Sequence, residues 1–432
     1  MQRAREAARY ARVCAVGLFL ALAVPAAVVG QEVDTVMSLA DSWSLLGSHS
    51  PEYQAALYQA DYAGQNVWSA WGSWIPSVSW RMNFNRNEFT TRTYLDPTGV
   101  PLRLDDPITD VAKSASNALV FNWSLLQNGT RFFDVGAANA SARAADLRAV
   151  ATLVRLESDV AVRYWEALKQ QELARLARQL LAARQRDVET AEARFRIAAV
   201  AQTDVLQARV QVGQSEVAVL QAEQQAEAAK RELSAQIGLP EEISYELRDT
   251  VTIIDPSGLP VDSLVAVGRV SNPDLARLEA EISAAGKRLW SSRGTWLPRI
   301  DLSLSLSRSE QLPRDASLIE LGPENSSTNF GISLNWPLLN GFEKKWRTGQ
   351  ASAQLQEARS NKVAQLLQTD KDIRNQYDAL VTAYQTVEIR TRLVDLARES
   401  VRLTTERYRI GAASYIELQQ ATSQATDAER GL

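Results

Sequence analysis

From Thr130 to Arg196 the chain reads TRFFDVGAANASARAADLRAVATLVRLESDVAVRYWEALKQQELARLARQLLAARQRDVETAEARFR. No proline occurs between Pro107 and Pro240, and no glycine between Gly136 and Gly213. The rising limb therefore holds no helix breaker. Apolar residues recur at steps of three and four, as in Leu147, Val150, Val154 and again Leu173, Leu176, Leu180, Ala183. Glutamates and arginines fill the positions between, which is the pattern of a helix packed along a seam. At about 1.5 Å per residue the stretch is roughly 100 Å long, several times the width of a globular domain. A reversal near Ile197-Ala198-Ala199 sends a second helix back to Gln236. The predicted unit is a shaft.

The shaft occurs twice. A second proline-free run extends from Leu338 to the end of the sequence, with no glycine between Gly349 and Gly411. Arg407-Tyr408-Arg409-Ile410-Gly411-Ala412 echoes Arg194-Phe195-Arg196-Ile197-Ala198-Ala199. Trp290, Trp296 and Pro298 echo Trp68, Trp74 and Pro76, and Asn272-Pro273-Asp274 echoes Ser50-Pro51-Glu52. Trp336 to Gly341 echoes Trp123 to Gly129 with one residue deleted. A repeat of about 213 to 222 residues is one whole structural unit duplicated. The second hairpin is the shorter: Leu432 corresponds to about Val219, whose helix is expected to run on to Gly238.

The chain opens with Arg3, Arg5, Arg9 and Arg12, an apolar run from Val13 to Val24, and small residues up to Gly30. Residues 1–30 read as a secretory signal peptide, too short in its apolar core to span a bilayer. The single cysteine, Cys14, falls inside it, so the mature chain is expected to hold no disulfide and no acyl anchor. Removing the signal leaves 43 basic and 50 acidic residues. A formal balance of −7 offers no general basic surface for nucleic acid.

After a helical stretch broken near Gly47 to Pro51, the period changes from 3.6 to 2. Val78, Trp80, Met82 and Phe84 alternate with Ser79, Arg81, Asn83 and Asn85. Leu119, Phe121, Trp123 and Leu125 alternate with Asn122 and Ser124. In the second half Ile300, Leu302, Leu304 and Leu306 alternate with Asp301, Ser303, Ser305 and Ser307, and Phe330, Ile332, Leu334 and Trp336 with Gly331, Ser333 and Asn335. The four strands are placed at 77–89, 117–126, 299–309 and 327–337. Each is about ten residues long, the length that spans a bilayer as a tilted strand. Eight of the eleven tryptophans stand in or beside strand ends, as an interfacial girdle requires. The connecting segments 90–116 and 310–326 read as long polar loops. Four strands cannot close a barrel, and lipid does not tolerate open edges, so copies of the chain must join through their strands. Residues 31–238 form the first repeat, 239–261 a linker, and 262–432 the second repeat. The fold class is thus an α+β membrane protein with internal duplication, four transmembrane strands continued by coiled-coil hairpins 130–238 and 341–432.

Over nearly the whole mature chain these features resemble the TolC-like outer-membrane efflux proteins, or outer-membrane factors. The likeness rests on the duplicated order of helix, two strands and long hairpin. It rests also on the tip sequences from Ile197 to Val205 and from Tyr408 to Leu418. The resemblance implies a homotrimer with a twelve-stranded outer-membrane barrel, continued through the periplasm by a helical tunnel. It implies a channel that serves as exit duct of a tripartite efflux or type I secretion system. Its partners would be outer-membrane lipid, a periplasmic adaptor docked on the tips Ile197, Ala198, Ala199, Ile410, Gly411 and Ala412, and an inner-membrane pump of resistance-nodulation-division or ABC type. It assigns a periplasmic gate to Asp204 and Glu417, with Tyr408 supporting closure. Gln420 replaces a second family acid, Ala413 a closing arginine, and Ala198 the family glycine of the first tip. The polar strand face, including Ser79, Arg81, Asn83, Asn85, Ser303 and Ser305, would line the barrel lumen.

An enzyme reading finds no support. The one histidine, His49, lies in the helix break beside Ser48 and Ser50, with no triad or metal pattern around it. There is no phosphate-binding glycine loop and no zinc-binding His-Glu-x-x-His run, so no cofactor is expected. The competing reading is a periplasmic coiled-coil adaptor or scaffold without a membrane barrel. It would explain one hairpin, but not two hairpins and four bilayer-length strands.

Overall fold

The computed structural model describes residues 36–197, 200–240, 245–312 and 325–432. The segment read as a signal peptide, with Cys14, lies outside them, as do Ala198 and Ala199 at the first tip. The first half runs β1 (Val36–Met37), α1 (Leu39–His49), α2 (Pro51–Gly72), β2 (Ser77–Leu95), β3 (Pro101–Gln127), α3 (Thr130–Arg196) and α4 (Gln202–Ile237). The second runs β4 (Glu246–Leu247), α5 (Val261–Ser271), α6 (Pro273–Gly294), β5 (Arg299–Leu312), β6 (Ser326–Asn335), α7 (Glu343–Arg409) and α8 (Tyr415–Gly431).

The duplication extends to single hydrogen bonds. Helices α1 and α5 have 11 residues each, α2 and α6 have 22, and α3 and α7 have 67. Ser50 and Asn272 cap α2 and α6, accepting from the backbone N–H groups of Tyr53 and Asp274, with a proline next in each helix. Where sheet meets shaft, Trp123 Nε1 donates to the Trp74 carbonyl at 3.0 Å and Trp336 Nε1 to the Trp296 carbonyl at 3.1 Å. Arg131 and Lys344 are buried at the same junctions. They sit over the rings of Trp74 and Trp296, 5.6 and 5.0 Å from the centroids, and donate to the carbonyls of Ser124 and Pro337. A buried cation stacked on an aromatic face and held by a carbonyl fixes the angle between strand and helix.

The sheet has the order β2-β3-β5-β6, every pair antiparallel. Its register sets apolar residues across from one another: Val78 opposite Phe121, Phe121 opposite Leu304, and Leu304 opposite Phe330. One row of the other face is Ser79, Val120, Ser305 and Asn329. Three expectations need correction. The segment 90–116 is mostly strand, because β2 and β3 continue pairing up to Leu95 and Pro101 beyond the apolar band. Polar alternation there carries no apolar signature, yet the backbone ladder persists. Leu125 does not continue the apolar face: the register slips between Ser124 and Leu126, and Leu126 falls opposite Ile300. Most of the proposed loop 310–326 lies outside the described residues, but β5 continues to Leu312 and β6 begins at Ser326.

The core sits halfway along the shaft. Leu156, Val160, Tyr164 and Leu168 of α3 pack with Leu233 and Ile237 of α4, with Met37, Leu45 and Leu46, and with Tyr245 and Leu247. Each such side chain contributes about 1.5–3 kcal/mol when fully buried. Tyr164 donates to the Met37 carbonyl at 3.1 Å, and burial pushes its phenol pKa upward. The stretch 239–261, expected to be a linker, is therefore partly packed: β4 pairs in parallel with β1, and Tyr245 donates to the Lys230 carbonyl at 2.9 Å. Gly238 makes the turn possible. Its φ is +91° and an added Cβ would lie 2.6 Å from the His49 carbonyl oxygen, so only glycine fits.

The contact seam of α3 also differs from the expected one. Its buried residues are chiefly alanines, among them Ala140, Ala144, Ala149, Ala174 and Ala177, while Val150 and Val154 are 48% and 49% exposed. Small residues let long helices lie close; Val150 and Val154 face outward, and the large buried apolar residues gather at the mid-shaft core. Ion pairs Arg178–Glu223 and Arg209–Glu192, each 2.7 Å, cross from α3 to α4 on the surface. Exposed pairs contribute about 0–1 kcal/mol, so they set the register of the hairpin more than its stability.

If the apolar face of the sheet meets lipid, Leu304→Arg should hinder membrane insertion at a cost of roughly 2–4 kcal/mol per chain. Ser305→Arg on the opposite face should insert like the unmodified protein. Flotation of folded protein with outer membranes reads both, and equal behaviour would refute the facing of the strands.

Candidate functional site

The two reversals come together at one end of the shaft. Ala191 of α3, Val205 and Ala208 of α4, and Tyr415 of α8 form a small buried cluster, with Val188 and Tyr408 packed against it. The tips of the two hairpins thus touch through aromatic and small side chains.

Helix α7 ends in a Schellman motif. The Ala412 N–H donates to the Arg407 carbonyl at 2.8 Å and the Gly411 N–H to the Tyr408 carbonyl at 3.1 Å. Gly411 has φ +79° and nothing within 4 Å of an added Cβ, so backbone conformation alone selects glycine there. Ser414 opens α8 with a capping box. Its hydroxyl accepts from the Glu417 N–H at 3.2 Å, and the Ser414 N–H donates to the Glu417 carboxylate at 3.4 Å. Glu417 therefore carries a local task in the helix start. Asp204 stands in the first turn of α4, where a carboxylate suits the helix dipole, and α4 has no side-chain cap.

Arg194 adds a polar link between the two tips. Its guanidinium lies 4.5 Å from the centre of the Tyr408 ring and donates to the carbonyls of Tyr408 and Arg409, the latter at 3.0 Å. Tyr408 in turn approaches Tyr415, with ring centroids 6.1 Å apart. A cation on an aromatic face contributes about 0.5–2 kcal/mol, and charge-assisted bonds to carbonyls add to that. Beneath this clasp Arg184 is buried and pairs with Asp187 at 3.5 Å. Burial pushes the Asp187 carboxyl pKa up, against the opposing pull of Arg184. Burial also raises the Tyr415 phenol, and the charges of Asp187 and Asp204 push the same way.

Ile197 and Ile410 stand 76% and 71% exposed at the very ends of the hairpins. Gly411, Ala412, Glu417 and Gln420 are exposed beside them. Ala198 and Ala199 lie outside the described residues. Sequence reading missed Arg194, Arg184, Asp187 and Tyr415. Arginines and acids are abundant along every face of these helices, and only the fold shows which meet a residue more than 200 positions away.

At the opposite end the sheet carries an apolar outer face in which Trp80, Phe330, Ile332 and Leu334 are 63% to 70% exposed. Trp71, Trp290, Trp296 and Trp336 stand exposed along its shaft-side border. No described helix is long and apolar enough to cross a membrane. Aromatic residues bordering an apolar band are the dress of a membrane-spanning sheet.

A lipid-facing antiparallel sheet set on two very long helical hairpins defines an outer-membrane duct protein. The model of the outer membrane efflux protein family matches residues 44–239 and 267–432, and the chain belongs to that family. Its location is accordingly the outer membrane of a Gram-negative bacterium. Nodulation protein T of Rhizobium leguminosarum bv. trifolii is 23% identical over 386 residues, covering 87% of this chain and 77% of that protein. Alkaline protease secretion protein AprF of Pseudomonas aeruginosa is 24% identical over 229 residues, 51% of this chain and 45% of that protein. The Campylobacter jejuni CmeC outer membrane channel has the same fold, with a TM-score of 0.72 at 14% identity over 91% of this chain and 81% of that one.

Proposed function

We propose that the chain is the trimeric exit duct of a tripartite efflux or type I secretion system, conducting cargo passively from an adaptor and an inner-membrane pump to the exterior. The observation that carries this reading is the open sheet, whose edge strands β2 and β6 lie beside an exposed apolar band. Unpaired backbone groups cost several kcal/mol each in hydrocarbon, so the edges must pair with other copies. Strands β2 and β6 run in opposite directions, and joining β6 to a neighbour's β2 continues the antiparallel order. Helix α7 supports the same reading. It buries Ala351, Leu355 and Val394 but exposes Leu367, Ile389, Leu393, Leu396 and Leu403 by half or more, a surface suited to a neighbouring copy. The relative named for alkaline protease secretion favours polypeptide cargo as one of the two classes.

The tips serve two tasks in this reading. Ile197 and Ile410, flanked by Ala198, Ala199, Gly411 and Ala412, form the docking surface for a helical-hairpin adaptor. Asp204 and Glu417, repeated around the axis, form an acidic gate that favours multivalent cations and is held shut by the Arg194–Tyr408 clasp. With Ala413 in place of an arginine, that clasp supplies the cation from the first hairpin.

Two measurements test these roles. Asp204→Asn with Glu417→Gln removes both charges while leaving the capping box intact, since glutamine serves at that position too. In planar bilayers this double variant should lose block by a trivalent cation, and Arg194→Met should raise resting conductance; unchanged block and conductance would sink the gate. Separately, Ile197→Asp with Ile410→Asp should abolish export in cells while the protein still reaches the outer membrane intact. Export at the normal rate would remove the tips from the docking surface.

A further inference from the structure

On the polar face of the sheet one charge stands out. Arg81 lies between Trp80 and Met82, at the height of the apolar band, but on the opposite face. Its partner across the ladder is Ala118, and the next residues on its own face are Ser79 and Asn83. These are small or neutral, so among the described residues nothing beside Arg81 neutralises it or covers it, and it is exposed. Among the described residues it has no ion pair.

The other charges near this face are accounted for. At the shaft end Asp301 is 2.7 Å from Arg299 and accepts from Ser124 at 2.6 Å. At the far end Asp110 lies opposite Phe89, beyond the band. Arg86 points to the outer face and pairs with Glu88. Between these limits the rest of the described polar face is uncharged: serine, asparagine, alanine and glycine, with Val120 and Gln311. A buried or paired arginine would be a structural device, but an exposed, unpaired one in a neutral field acts through its charge.

We infer that Arg81 is the charge-selecting residue of the barrel, favouring anionic over cationic cargo at the outer end of the duct. The inference rests on the conduction reading above, in which three copies bring three such charges to one level. Twelve strands spaced about 4.8 Å apart and tilted about 40° form a barrel of roughly 12 Å radius at the backbone. That is close to the Debye length of about 10 Å at 0.1 M salt, and four times the value of about 3 Å at 1 M. The ring therefore reaches the axis at low ionic strength and is screened out at high. Its sign is opposite to that of the acidic tips, so cargo meets a cation-favouring entrance and an anion-favouring exit. Zwitterionic solutes, which carry both signs, satisfy both in turn.

The test is the reversal potential of single channels under a salt gradient near 0.1 M. Arg81→Ser, which matches Ser79 and Ser303 on the same face, should lower the anion-to-cation permeability ratio on the order of threefold. The difference should vanish near 1 M salt. Arg81→Lys should keep the parent ratio, and Arg86→Ser on the outer face should leave it unchanged. The inference is overturned if Arg81→Ser keeps the parent ratio at low salt, or if its shift survives at 1 M, which would signal an altered pore shape. If the parent protein itself forms no channel, the conduction reading falls and this inference goes with it.

Discussion

The backbone of two edge strands governs the design of this molecule. Strands β2 and β6 bound a four-stranded sheet whose outer face is apolar over the thickness of a bilayer. Each unpaired N–H and C=O along them would be unsatisfied in hydrocarbon, where water is absent. Among the described residues the chain offers no further strand to cover them. The sheet is therefore incomplete, and in the proposed duct the rest comes from copies of itself. The shaft repeats the same incompleteness: α7 has 67 residues, yet few of them are buried within the chain. Sheet edges and helix faces point to one remedy.

What turns a sheet into a shaft is a pair of small junctions. In each half a tryptophan Nε1 donates to the carbonyl of another tryptophan, and a buried cation stacks beside it. Positive φ values at Asn128 and Gly129, and again at Gly341 and Phe342, bend the chain from strand to helix. Phe342 is the costly one: glycine and asparagine visit that region readily, whereas other residues give up roughly 1–2 kcal/mol there. From these junctions α3 and α7 run unbroken to the tips, α3 passing through the mid-shaft core around Tyr164. Position at the tip is thus inherited from geometry at the sheet, about 100 Å away along 67 residues.

Much of this architecture is legible in the sequence, because it rests on periodicity. A period of 3.6 over 67 residues, a period of 2 over ten, and the recurrence of both leave few folds open. The continuation of β2 and β3 through residues 90–116 was not legible, because outside the band there is no apolar face to alternate. The β1–β4 pair was missed for a different reason: two residues from each strand carry no period at all. At the tips, the glycine of the second reversal could be read from a local motif, and Tyr408 from the family resemblance. The Arg194 clasp could not, since its partner is 214 residues away and the helix offers many equivalent arginines. Glu417 shows the converse case: a residue singled out for a gate also has a plain local task as the third residue of a capped helix.

Intermolecular closure of the sheet can be measured with engineered cysteines, since the only natural one, Cys14, lies in the N-terminal segment. One cysteine replaces Ser79 on β2, and a second replaces in turn Ser327, Asn329, Gly331 or Ser333 on the same face of β6. Within one chain these edges are three strand spacings apart, about 14 Å, well beyond the Cα separation of about 4.4–6.8 Å that a disulfide spans. Oxidation of membrane-inserted protein should therefore give, for at least one pair, a covalent ladder that stops at three chains. A ladder that stops at two or runs past three, or monomer alone with every pair, would contradict closure of the barrel between three copies.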